Sequence, residues 1–78
     1  MIVKVLGVGC PKCKHLEQKL LDIRDKRGLD YEVQKVTDLN EILEHGVMMT
    51  PGLVIDGELK SAGGIPKDKE ILTWLGVE

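Results

Sequence analysis

The sequence predicts an α/β domain built on a mixed four-stranded sheet, and three observations carry that prediction. The apolar run Ile2-Val3-Lys4-Val5-Leu6 breaks at Gly7-Val8-Gly9. It is followed by Cys13, Leu16, Leu20 and Ile23, whose spacing of three, four and three is one face of a helix. Strand-like and helix-like segments then alternate to give strand, helix, strand, helix, strand, strand, helix, the pattern of an α/β fold. Finally, Asp56-Gly57 between two strand-like runs is a strong hairpin signal. The first strand-helix-strand unit must be a right-handed parallel crossover. The hairpin makes the last two strands antiparallel, so the sheet is mixed and helices cover both its faces.

Each element has a local reason. Residues 2–6 are β-branched or leucine apart from Lys4, as in a strand buried on both sides. Cys10 takes the N-cap position of the first helix. Pro11 takes N1, where its fixed φ suits helix initiation and its missing N–H costs nothing. Gly28 is a good C′ residue. Leu29, Tyr31 and Val33 alternate with polar neighbours, as in a half-buried strand. Val36 falls out of that phase, which marks a bulge or the strand's end. Asp38 with Glu41 three residues on is an aspartate version of a capping box, opening a short helix with Leu39, Ile42 and Leu43 as its apolar face and Gly46 as its stop. Gly52-Leu53-Val54-Ile55 is the third strand, and the more polar Glu58-Leu59-Lys60-Ser61-Ala62 is a fourth at the sheet edge. Pro66 precedes a last helix with Ile71, Leu72 and Leu75 inward and Trp74 partly so.

Composition narrows the function. Seventy-eight residues make one domain, 1–78, without repeats or linkers. With 11 basic and 13 acidic residues the net charge is −2, and the only aromatics are Tyr31 and Trp74, so nothing suggests nucleic acid. No apolar run approaches membrane-spanning length. The N-terminus lacks the regions of a signal peptide, so a cytoplasmic location is expected. There, a pair of cysteines two residues apart is more often catalytic or metal-binding than a fixed bridge. Closing so small a loop would also remove little chain entropy, which argues against a purely structural disulfide.

Cys10-Pro11-Lys12-Cys13 therefore carries the chemistry. The nucleophile in disulfide exchange is a thiolate, and an ordinary cysteine titrates near ~8.5. At a helix start the backbone N–H groups and the macrodipole favour the anion. Lys12, Lys14 and His15 add positive potential, and no acid lies between residues 8 and 16. Cys10 is expected to be the activated thiol. Cys13, on the apolar face, would resolve the mixed disulfide at high effective concentration. The bland alternative is two unreactive structural cysteines. His15 reads better as a solvated helix residue than as a proton shuttle, and His45 as a dipole partner in the last turn of the second helix. Lys4 reads as a side chain snorkelling to a sheet edge. Met48 and Met49 are balanced between core packing and an adaptable rim at the site.

The topology, the Cys10-Pro11-Lys12-Cys13 motif opening the first helix, Thr50-Pro51 before the third strand and Gly63-Gly64 after the fourth together resemble the thioredoxin fold. The resemblance covers essentially the whole chain and is nearest to the small thioredoxin- or glutaredoxin-like redox-active disulfide proteins of archaea and bacteria. It implies a minimal βαβαββα fold with sheet order 2-1-3-4, and a dithiol–disulfide oxidoreductase needing no cofactor beyond the Cys10–Cys13 pair. It implies that Cys10 is the exposed nucleophile, that Cys13 is the buried resolving thiol, and that Thr50-Pro51 is a cis bond packed against the dithiol. Thr50 would pair its backbone with an extended substrate segment, and Pro11 and Lys12 would flank that segment. Partners implied are disulfide-containing proteins and a reductase of the thioredoxin-reductase type, with a monomeric chain.

Two departures from the family pattern stand out. Glutaredoxins carry a basic residue shortly before the first cysteine, where Gly7, Val8 and Gly9 stand here, so glutathione is not expected to be the main electron donor. Thioredoxins carry a buried aspartate on the strand leading to the motif. Counting back six from Cys10 finds Lys4, so the acid–base helper of the second thiol is missing or has moved. The competing reading is a soft-metal module that holds Cu(I) through a similar glycine-flanked cysteine pair. Such modules run strand, helix, strand, strand, helix, strand. Tetrahedral zinc would need two further ligands, which His15 and His45 are not placed to supply.

Overall fold

The structure, a computed structural model, describes residues 1–9 and 11–76. Its elements are β1 (Ile2–Leu6), α1 (Pro11–Arg27), β2 (Glu32–Val36), α2 (Leu39–Glu44), β3 (Gly52–Ile55), β4 (Glu58–Ala62) and α3 (Asp68–Trp74). The sheet order is β2-β1-β3-β4. β1 runs parallel to β2, with Val5 opposite Lys35, and antiparallel to β3, which pairs antiparallel with β4. This is the expected mixed sheet and the minimal thioredoxin-type order.

Alternation along β1 sorts the core into two layers. Val3 and Val5 face α1 and α3, packing with Leu16, Leu20, Leu53, Ile55, Ile71 and Leu72. Leu6 belongs to the opposite layer, with Val36, Ile42, Val47 and Val54 beneath α2. Tyr31 closes the first layer, and its buried hydroxyl donates to the Leu20 carbonyl. Burial holds this phenol above its usual value of 10.0, outweighing the opposing charge of Arg24.

Val36 is the last residue of β2, so the break in the sequence pattern marks the strand's end and not a bulge. It pairs regularly with Leu6 and fills the α2 layer, because β2 is covered on that face as well. The irregularity lies at the edge instead, where the β3–β4 register shifts between Leu53 and Val54. In α2, contrary to expectation, only Ile42 is buried. Leu39 and Leu43 are 61% and 51% exposed, since a six-residue helix lying on a sheet turns one side chain fully inward. Its N-cap is as expected, with Asp38 Oδ1 accepting the Asn40 N–H at 2.9 Å. At the β3–β4 hairpin, Asp56 and Gly57 both have positive φ, 49° and 84°, as a type I′ turn requires.

Candidate active site

The site lies where β1 ends, α1 begins and the chain enters β3. Cys10, the expected N-cap and nucleophile, lies outside the described residues. Pro11 and Lys12 form the exposed first turn of α1. Cys13, one turn in, is turned toward the sheet and is only 6% exposed. That contrast follows from helix geometry. Cys13 shares the stripe of Leu16, Leu20 and Ile23, whereas Pro11 and Lys12 lie off it.

Gly7 is what lets the thiol fit. A Cβ built there overlaps Cys13 Sγ, lies 3.3 Å from Cys13 Cβ and comes within 3.6 Å of Thr50 Cβ. Gly7 is buried and its N–H donates to the Val36 carbonyl at 2.9 Å, so the strand end is held in place. Thr50, Gly7 and Cys13 therefore converge. The Thr50-Pro51 bond is cis, Pro51 is fully buried, and its carbonyl accepts the Gly63 N–H at 2.9 Å. That bond ties the loop before β3 to the glycine pair after β4.

Beside the thiol is a small cavity of about 60 Å³ lined by Val5, Gly7, Gly9, Cys13, Lys14, Lys35 and Thr37. Lys35 Nζ lies 3.3 Å from Glu17 Oε1. Lys4 is elsewhere. Its register partners are Gln34 and Val54, so it points into the α2 layer, away from Cys13. The strand residue next to the thiol is Val5, because alternation puts Val3, Val5 and Gly7 on the α1 face. Counting residues back from Cys10 does not reveal which face a side chain takes.

The remaining candidates fall outside the site. His15 is exposed and lines a separate groove between α1 and α3 with Gln18, Lys19, Asp22 and Asp68. His45 caps α2, its N–H donating to the Glu41 carbonyl. Met48 and Met49, 87% and 68% exposed, form a rim on the loop before Pro51 and do not pack in the core. Among the described residues no group of three or more His, Cys, Asp or Glu side chains could hold a metal ion. The element order, ending β3, β4, α3, is also not that of the soft-metal modules. No described helix is long and apolar enough to cross a membrane.

Comparison with known proteins decides the family. Residues 1–76 match the thioredoxin-domain family. The chain is 37% identical over 71 residues to a thioredoxin of Methanothermobacter thermautotrophicus, covering 91% of this chain and 92% of that one. It is 38% identical over 71 residues to a thioredoxin of Methanocaldococcus jannaschii, covering 91% and 81%. The chain belongs to the thioredoxin-domain family. This thioredoxin-domain protein is accordingly a dithiol–disulfide oxidoreductase by class, as its cysteine pair suggests. The residues around its inner thiol are Gly7 in close approach to the sulfur, Val5 as the strand neighbour, and Lys35, which is paired with Glu17. That pair had no signal in the sequence. Glu17 reads as one more charge on a helix, and Lys35 as the polar phase of a strand.

Proposed function

We propose that this protein reduces disulfides of cytoplasmic proteins. The Cys10 thiolate attacks the substrate disulfide and forms a mixed disulfide, releasing one substrate thiolate. Cys13 then attacks the Cys10 sulfur, expelling the second substrate thiolate and closing the Cys10–Cys13 bond. Thr50 offers its backbone to an extended substrate segment, and Pro11 and Lys12 flank that segment. The observation that carries this reading is the asymmetry of the motif: the first turn is exposed at Pro11 and Lys12, while Cys13 is buried against Gly7. With both thiols in one motif the second step is intramolecular, and burial of Cys13 keeps the resolving sulfur from competing with Cys10 for substrate.

The absence of a basic residue at positions 7–9 favours a reductase of the thioredoxin-reductase type over glutathione as the electron donor. The test is reduction of insulin disulfides by the protein, recycled either by a thioredoxin reductase with NADPH or by glutathione with its reductase. Turnover is expected with the first. Equal turnover with both would refute the donor assignment, and no turnover with either would refute the substrate class.

A further inference from the structure

We propose that Glu17 and Lys35 form the acid–base pair that serves the resolving thiol, with the carboxylate supplied by helix α1 instead of strand β1. This rests on the oxidoreductase reading above. Cys13 is 6% exposed, so its proton needs a route out before the sulfur can attack. The strand residue beside it is Val5, which is buried and cannot take a proton. The opening beside the sulfur is the cavity whose charged walls are Lys14 and Lys35.

Glu17 is four residues beyond Cys13 on the same helix, so the two side chains are neighbours one turn apart. Its side chain is only 25% exposed, and it is held 3.3 Å from Lys35 Nζ. β2 places Lys35 on the α1 face, opposite Val5 in the register. The groups lining the cavity with Cys13 are thus Lys14 from α1, Lys35 and Thr37 from β2 and the segment after it, and the uncharged Val5, Gly7 and Gly9, and Glu17 reaches this wall through its pair with Lys35. His15 faces the other groove.

The step balances as follows. The Cys13 S–H gives its proton to the Glu17 carboxylate. The Cys13 thiolate, facing the Lys35 ammonium, attacks the Cys10 sulfur of the mixed disulfide. The Cys10–substrate S–S bond breaks, the Cys10–Cys13 bond forms, and the substrate sulfur leaves with the electron pair. The proton on Glu17 passes to that leaving thiolate or to water. Lys35 stabilises the developing anion, and its ion pair with Glu17 holds the carboxylate beside a residue of the cavity wall.

The test is stopped-flow reaction of the reduced protein with dithiobis-nitrobenzoate, whose coloured thiolate is released in two phases. The first reports attack by Cys10 and the second reports resolution by Cys13. Glu17→Gln and Lys35→Gln are each expected to leave the first phase within about twofold and to slow the second about a hundredfold at neutral pH, the lower end of a general-base contribution. The deficit should vanish at alkaline pH, where the thiol ionises unaided. Lys19→Gln, which breaks the Lys19–Asp68 pair elsewhere on α1, should change neither phase. An unchanged second phase in Glu17→Gln, or a deficit of equal size at every pH, would overturn the proposal. A wild-type protein with no second phase would instead remove the two-thiol mechanism on which it depends.

Discussion

Replacing Gly7 with alanine puts a methyl group where the Cys13 sulfur already is. The new Cβ overlaps Cys13 Sγ and lies 3.3 Å from Cys13 Cβ. A helical cysteine has one torsion to relieve this, and the χ1 rotamer pointing into the preceding turn is excluded. The strand cannot withdraw cheaply either, because the Gly7 N–H is bonded to Val36 and the residue is buried. Overpacking of this kind costs about 1–3 kcal/mol. Stiffening of the unfolded chain by alanine returns roughly 0.4–1 kcal/mol. The difference spans about 0–2.6 kcal/mol, and because the new Cβ overlaps the sulfur the loss falls in the upper half, about 1.3–2.6 kcal/mol, which for a domain of this size lowers Tm by roughly 5–21 °C. Thermal unfolding followed by circular dichroism measures this, with Gly64→Ala as the control, since nothing lies within 4 Å of a Cβ at Gly64. The same variant should slow closure of the Cys10–Cys13 bond, because the sulfur that moves is the resolving one. A Tm loss no greater than the control's would refute the claim that Gly7 makes room for the thiol.

Tyr31→Phe removes the hydroxyl that donates to the Leu20 carbonyl and should cost about 1 kcal/mol in denaturant unfolding. Because the folded-state phenol titrates above 10.0, the unfolded chain loses this proton first. Wild-type stability should therefore be complete below that pH and fall as pH rises past it. Tyr31→Phe should lack this component of the decline, and identical alkaline profiles would count against it. Ile42→Ala should cost about 2–5 kcal/mol, whereas Leu43→Ala, half exposed on the next position of α2, should stay within roughly 0.5 kcal/mol. Equal losses would mean that α2 buries a broader face than Ile42 alone.

The parts of the fold that were legible are those whose signal is local. Cys13, Leu16, Leu20 and Ile23 repeat at the helical period over a helix long enough for the pattern to be unambiguous, and all four are buried. Asp56-Gly57 names its own turn, since both residues must take positive φ. The misread positions are those where the deciding partner is distant in sequence. Val36 was legible as the end of β2 but not as core, because only the fold shows that α2 covers the face it takes. Leu39 and Leu43 look like core because three leucine or isoleucine residues recur at helical spacing, but the sheet beneath has room for one. At the site, the cysteine pair and Thr50-Pro51 were readable as motifs. The residues that touch the inner thiol were not. Whether Lys4 or Val5 faces Cys13 is set by strand alternation, and Lys35 meets Glu17 only because a parallel crossover brings β2 alongside α1.

The central claim, that Cys10 attacks and Cys13 resolves, is tested most directly by trapping the mixed disulfide. Cys13→Ser and Cys10→Ser variants are each reduced and exposed to insulin, then separated on a non-reducing gel. The account predicts a covalent adduct with Cys13→Ser, cleaved by added thiol, and none with Cys10→Ser. An adduct formed through Cys13 in the Cys10→Ser variant, at a rate equal to or above that of Cys13→Ser, would contradict it.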